Sequence, residues 1–226
     1  MMENEKGISH AMEDYLRTIH KLSEQTEKVS TSAIADRLDV APASVTKMLK
    51  RLAELALIKY EPYKGVKLTA FGEKTALAVV RQHRLVELFL HDILGVPWDR
   101  VHEEAHRLEH VISPYLQDRM VAVLGNPRVD PHGQPIPSKD GSMLQRDLCR
   151  LSEVEVGFSG CVAEIEDDDA ELLRYVGEKG VYPNTQIKVL SRDRFGGGVS
   201  LLIDGEEVSL GSQATPQIWL FQEEEA

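Results

Sequence analysis

Five of the chain's eight histidines lie between His83 and His110, and their spacing suits the binding of a metal ion. At about 100° per residue, His102, His106, Glu109 and His110 fall within roughly a 100° arc of one helix face. Imidazole and carboxylate donors converging on one face, with no thiolate among them, suit Mn2+, Fe2+, Co2+, Ni2+ or Zn2+, and a larger oxygen share favours Mn2+ by ligand type. His83 and Glu87 stand one turn apart and project together. Asp14, at the edge of an apolar stripe, could add a carboxylate from a third direction. A lone His–Glu pair is more often a surface ion pair, and His10, His20, His91 and His132 are read that way. A hydrogen-bonded polar seam between helices is the alternative for the four donors on one arc.

The string His102-Glu103-Glu104-Ala105-His106 also matches HExxH, in which two histidines hold zinc and the glutamate activates water. The extended version would need glycine at 109 and histidine at 112, where Glu109 and Ile112 stand. A zinc peptidase is therefore the weaker reading, and a metal-storage protein is a third.

These donors need elements to hold them. Met12, Tyr15, Leu16, Ile19 and Leu22 recur at threes and fours, which predicts an amphipathic first helix. Ser30 or Thr31 caps a short helix through Leu38, a break at Asp39-Val40-Ala41 follows, and Pro42 opens a helix to about Ala56. Extended pieces at 57–60 and 66–68, joined by a turn at Pro62 and Gly65, complete the outline of a winged helix-turn-helix. Thr69 then caps a long helix to Leu94. Asp99 can cap the helix carrying the histidines, and Pro114 begins another that ends near Gly125. Residues 126–141 are rich in Pro, Gly, Asp and Ser and read as a linker. Beyond them, short β-type runs at 160–165, 186–190, 199–203 and 218–221, with turns such as Phe195-Gly-Gly-Gly and Asp204-Gly205, predict a small barrel.

The chain's net charge of −11 over 226 residues argues against a nucleic-acid partner only as an average. Between Lys28 and Thr69 eight basic residues face four acidic ones, whereas from Cys161 onward five face fourteen. With Val45, Met48, Leu49 and Leu52 in the core, the helix that Pro42 opens presents Ala43, Ser44, Thr46, Lys47, Lys50 and Arg51. Small and hydroxyl residues allow approach to base edges, and the cations suit phosphates. Tyr63, Lys64 and Lys67 would serve the flanking backbone. A solvated basic helix in a bundle is the plainer reading of the same face. No apolar run approaches the roughly 18 residues that cross a bilayer, and the first residues lack the order of a secretory signal, so a cytoplasmic protein is expected. Cys149 and Cys161 form neither a CxxC pair nor a disulfide framework and read as packing residues.

The winged helix-turn-helix, with the strings RQHRLVELFL, VHEEAHRLEH and DPHGQPIP in that order, resembles the diphtheria toxin repressor family of metal-dependent regulators. The resemblance spans essentially the whole chain. It implies a mainly α protein with a smaller β part: a DNA-binding domain over 1–70, a helical dimerisation and metal-binding domain over 71–140 with a Pro-rich linker from 126, and a Src-homology-like β-barrel over 141–226. It further implies a homodimeric repressor of metal-uptake genes on a palindromic double-stranded operator, with two metal sites per subunit and no membrane partner. The primary site would comprise Asp14, His106, Glu109 and His110. The ancillary site would comprise His83, Glu87 and His102, with Asp168 and Glu171 from the barrel; Glu166 or Asp167 could substitute, because the run of aspartates at 167–169 permits a one-residue shift. Asp14 and His106 stand where the iron-responsive branch uses methionine and cysteine, which favours Mn2+ with Fe2+ as the alternative. The match to the manganese branch is partial, since that branch often has a carboxylate at 106 and some members add a glutamate where Arg17 stands. Pro42, Ala43, Ser44, Thr46, Lys47, Lys50, Tyr63 and Lys64 would face DNA.

Overall fold

The computed structural model describes residues 7–24, 26–62, 64–193 and 197–222. Tyr63, the start of the Phe195-Gly-Gly-Gly turn and the acidic tail at 223–225 lie outside the described residues. The described chain divides into two compact units, one running to Gln82 and joined by Pro137–Ser142, the other comprising His83–Ile136 and the residues from Met143 onward.

In the first unit, α1 (His10–Ser23) buries Met12, Tyr15, Leu16 and Ile19, the stripe read from the three-and-four spacing. The Ser30 hydroxyl accepts the Ala33 N–H at 3.1 Å and so caps α2 (Thr31–Leu38). Asp39 ends that helix in the left-handed region, with φ 50°. Pro42 opens α3 (Pro42–Glu54), where its missing N–H costs nothing. Val45, Leu49 and Leu52 from α3 join Leu16, Ile19 and Ile34 in one core. The wing is β1 (Ile58–Glu61) antiparallel to β2 (Gly65–Leu68), and Val29 bridges to Val66 on its other edge. Gly65 is required there: its φ is +93°, and a Cβ would lie 2.8 Å from the Val29 carbonyl oxygen. The Thr69 hydroxyl donates to the Ala56 carbonyl at 2.7 Å and accepts the Gly72 N–H at 3.0 Å, fastening the wing's base to the start of α4 (Ala70–Asp92).

The second unit holds the rest of α4, α5 (Val101–Leu108), a 3-10 turn (Glu109–Val111) and α6 (Pro114–Val123). The histidine-bearing segment is thus not one continuous helix as expected, because it tightens after Leu108. Asp99 does not cap α5 either; the flanking residue is Arg100, and Asp99 instead pairs with Arg174 at 3.2 Å. No helix or strand is assigned between Val123 and Leu148, as the Pro-rich composition led us to expect. The segment is nevertheless packed: Asp130, His132, Gln134 and Ile136 are all buried. It reaches β4, where the Ile165 N–H donates to the His132 carbonyl at 3.0 Å.

The β part is a single antiparallel sheet in the order β3-β8-β4-β5-β6-β7. Its strands are β3 (Leu148–Arg150), β4 (Ser159–Ile165), β5 (Gln186–Arg192), β6 (Val199–Ile203), β7 (Glu206–Leu210) and β8 (Ile218–Gln222). Leu151, Val162, Ile165, Ile187, Val189, Leu201, Leu210, Ile218 and Leu220 share its core. α7 (Ala170–Glu178) adds Leu173 and Val176 to that core. Neither α7 nor the short strands β3 and β7 were anticipated from the sequence.

Candidate metal centre and nucleic-acid interface

The 3-10 turn after α5 gathers the first group of donors. It brings Glu109 inward until only 1% of it is exposed. The Glu109 Oε1 atom lies 2.9 Å from His106 Nδ1 and 3.5 Å from His110 Nε2. One donor atom from each of His106, Glu109 and His110 lies within 4.8 Å of the others. Asp14 sits half-buried on α1 in the first unit, 3.9 Å from Arg17.

A second group joins α4, α5 and the end of β4. His83 Nε2 lies 3.0 Å from Glu87 Oε1, and His102 Nδ1 lies 3.0 Å from the same oxygen and 3.5 Å from Asp167 Oδ2. The carboxylate from the β part is therefore Asp167; Asp168 and Glu171 are exposed. Extended chain alternates its side chains, so burial of Ile165 in the core carries Asp167 inward and Asp168 outward. Asp169 is committed elsewhere, accepting the Glu171 and Leu172 N–H groups at 2.8 and 3.1 Å as the N-cap of α7. Burial works against the charge on both Glu87 and His102, and the partners overcome it. His83 and His102 hold the Glu87 carboxyl well below its usual range, while Asp167 and Glu87 push His102 up to about 10.

His83 connects the two groups, since its Nδ1 lies 2.7 Å from Glu109 Oε2 while its Nε2 faces Glu87. Helical spacing puts His83 with Glu87 but says nothing of Glu109, which is 26 residues further along the chain.

A third group was missed altogether, because His132 reads as an isolated surface histidine and Asp130 as part of a linker. Glu87, Asp130 and His132 each bring a donor atom within 4.8 Å of the others, and all three residues are buried. The His132 Nε2–H donates to the Trp98 carbonyl at 2.8 Å, which leaves Nδ1 with its lone pair when the ring is neutral. Asp130 Oδ1 accepts the His132 and Gln134 N–H groups, each at 2.9 Å. Glu87 Oε2, Asp130 Oδ2 and His132 Nδ1 are buried with no hydrogen-bond partner among the described residues, although Arg84 Nε lies 3.5 Å from Asp130 Oδ2. Burial, then the neighbouring Glu87 charge, raise the Asp130 carboxyl to about 7 against the pull of Arg84 and His132. The signal available in the sequence was the turn chemistry of Asp130-Pro131-His132-Gly133, which folds back on itself with the Gly133 N–H donating to the Asp130 carbonyl at 3.1 Å.

Buried acceptors left without donors are costly unless a proton or a cation satisfies them. The donor set here is all imidazole and carboxylate, which fits a divalent transition metal. The HExxH reading finds no support: Glu103 is exposed and pairs with Arg107 on the surface of α5.

In the first unit, Pro42, Ala43, Ser44, Lys47 and Lys50 are exposed on α3. The Thr46 hydroxyl is turned back to donate to the Pro42 carbonyl at 3.0 Å. Lys64 pairs with Glu61 at 2.8 Å. Among the described residues no helix is long and apolar enough to cross a membrane.

Three family profiles match the chain. Residues 8–66 match the iron-dependent repressor N-terminal DNA-binding domain, 69–138 the iron-dependent repressor metal-binding and dimerisation domain, and 149–220 the FeoA domain. The chain is 35% identical over 207 residues to the iron-dependent repressor IdeR of Mycobacterium tuberculosis (strain ATCC 25618 / H37Rv), covering 86% of this chain and 89% of that protein. It is 37% identical over 216 residues to the diphtheria toxin repressor of Corynebacterium glutamicum, covering 91% and 93%. Among solved structures, a manganese-dependent transcriptional repressor in complex with manganese superposes with a TM-score of 0.89 at 40% identity, covering 94% of this chain and 100% of that one. ScaR with bound Zn2+ follows it with a TM-score of 0.81 at 32% identity, covering 94% and 99%.

Proposed function

Since this chain belongs to the diphtheria toxin repressor family of metal-dependent transcriptional regulators, we propose that it is a manganese-responsive repressor that binds a palindromic operator as a homodimer and lowers transcription of metal-uptake genes in the cytoplasm. The observation that carries this reading is the run of imidazoles and carboxylates through the second unit, from an exposed His106 at its edge through the buried Glu109 and His83 to the buried Glu87 and Asp167. Relatives with this domain plan are repressors, and the chain is a regulator, not an enzyme.

Two sites are proposed in each subunit. His106, Glu109 and His110 would hold the first, with Asp14 as the further ligand that the family resemblance assigns. Glu87 and Asp167 would hold the second, with His83 and His102 on one side or Asp130 and His132 on the other. The absence of sulfur donors and the oxygen share favour Mn2+ over Fe2+ by ligand type. A bound divalent ion supplies positive charge to carboxylates that otherwise repel one another.

The chain's own residues carry the coupling. Asp14 stands on α1, whose Met12, Leu16 and Ile19 share a core with α2 and α3, so any restraint on Asp14 restrains the DNA-reading helix. Metal binding biases the reading head only as far as it prefers the competent arrangement. For dimerisation, Val111, Tyr115, Leu116 and Val123 leave an apolar surface exposed around α6, with Tyr115 76% exposed. That surface suits a second copy of this chain.

The test is a mobility-shift assay with genomic fragments, run with chelator and then with Mn2+, Fe2+ and Zn2+ in turn. Retardation should require metal, and Asp14→Ala should abolish the metal dependence while leaving the fold intact by circular dichroism. Unchanged metal-dependent retardation in that variant would refute the coupling.

A further inference from the structure

Within the DNA-binding reading above, on which this inference rests, we propose that Lys47 reads a guanine in each half-site through O6 and N7 in the major groove, and so determines which operators are bound. Val45, Leu49 and Leu52 are fully buried and set the direction in which α3 faces its core. At 100° per residue Lys47 lies opposite that direction, near the centre of the exposed arc. Ala43, one turn earlier on the same line, and Ser44 beside it are both exposed and small, so the N-terminal end of α3 can approach base edges closely. Recognition helices contact bases through their N-terminal residues. Lys50 and Arg51 lie further along α3, where phosphate contact is the simpler role.

The other candidates are already committed. Thr46 spends its one hydroxyl proton on the Pro42 carbonyl. Arg51 pairs with Glu54 at 3.1 Å, Lys64 pairs with Glu61, and Lys67 pairs with Glu27. Lys47 carries no ion pair with any described carboxylate, so its ammonium can donate to a base without first breaking a bond within the protein. Lysine's donors match the two acceptors that guanine alone presents side by side in the major groove. Glutamine at the same place would match adenine instead.

The experiment is in vitro selection of binding sites by the full-length, manganese-loaded protein and by Lys47→Ala and Lys47→Gln. Wild type should select one guanine at a symmetric position in each half-site. Lys47→Ala should lose the preference at that position alone, and Lys47→Gln should shift it to adenine. Replacing that guanine by 7-deazaguanine should weaken wild-type binding by about 5- to 150-fold and leave Lys47→Ala binding unchanged. If Lys47→Ala keeps the guanine and only binds all sequences more weakly, with a shallower salt dependence, Lys47 is a phosphate contact and the proposal is wrong. If wild type enriches no sequence at all, the DNA-binding reading itself falls, and this inference with it.

Discussion

Asp130 is one of the residues whose protonation the fold alters strongly. Its carboxyl, raised to about 7 by burial and by the charge on Glu87, sits well above the value of about 3.9 expected in an unfolded chain. Between those two values the folded protein binds the proton more tightly than the unfolded chain does, so stability falls as pH rises through that window. We expect the metal-free protein to be less stable at pH 7.5 than at pH 5 on this account. Asp130→Asn, which cannot ionise, should flatten the slope in urea denaturation run in chelator. Uptake of a cation by Asp130 and His132 must displace that proton, so apparent metal affinity should rise with pH until about 7. An Asp130→Asn protein with the wild-type pH slope would show that the burial penalty is relieved elsewhere. At this scale His102, His106, Glu109, His110, His83 and Glu87 were legible as donors from type and spacing. Asp130 and His132 were not, because an i,i+2 pair in a Pro-rich stretch carries no sign of burial.

Among the elements, the strap at 128–136 matters most for the candidate second site. Gly133 has φ +86°, and a Cβ there would lie 2.1 Å from the Ala163 carbonyl oxygen on β4. Arg146 donates to the Gly133 carbonyl at 2.9 Å on the same strap. Gly133→Ala therefore has to push the strap off β4. We expect a loss of about 1–3 kcal/mol by chemical denaturation, the usual range for overpacking. Metal affinity should fall where Asp130 and His132 contribute and hold where His106, Glu109 and His110 do. Equal loss at both would mean that the strap stabilises the whole unit without shaping one site. The expected helices matched the structure closely where a local start signal or an apolar stripe was written in the sequence: the stripe of α1, Ser30 before α2, Pro42 for α3 and Pro114 for α6. Agreement failed at Leu108, where the 3-10 turn begins: local propensity continues the helix, and the buried position of Glu109 ends it.

At the scale of the whole molecule, an acidic body carries a locally basic reading head, and this partition predicts strong salt dependence of DNA binding. The slope of log Kobs against log salt should be about −0.9 for each phosphate neutralised. Lys50→Ala should reduce its magnitude by about one for each head. Lys64→Ala should reduce it less, because Glu61 at 2.8 Å already neutralises that ammonium on the surface. Within the larger unit the β part brings the Asp167 carboxylate to 3.5 Å from His102. Asp167→Asn should weaken metal binding where Glu87 contributes, as read by titration calorimetry, while leaving the melting of the β core nearly unchanged. Wild-type affinity in that variant would leave Asp167 with no more than a hydrogen-bonding role to His102.

From residue order alone follow the winged reading head, the small β part and a set of imidazole and carboxylate donors, because each is written in local periodicity, caps or spacing within a few residues. Which donors meet was decided by tertiary structure. Glu109 faces His83 across 26 residues, and Asp167, not Asp168, reaches His102 because the burial of Ile165 sets the register of the strand that precedes it. Burial of the strap turns a linker into a source of candidate ligands. Such choices depend on packing between segments far apart in the chain, and local pattern carries no record of them.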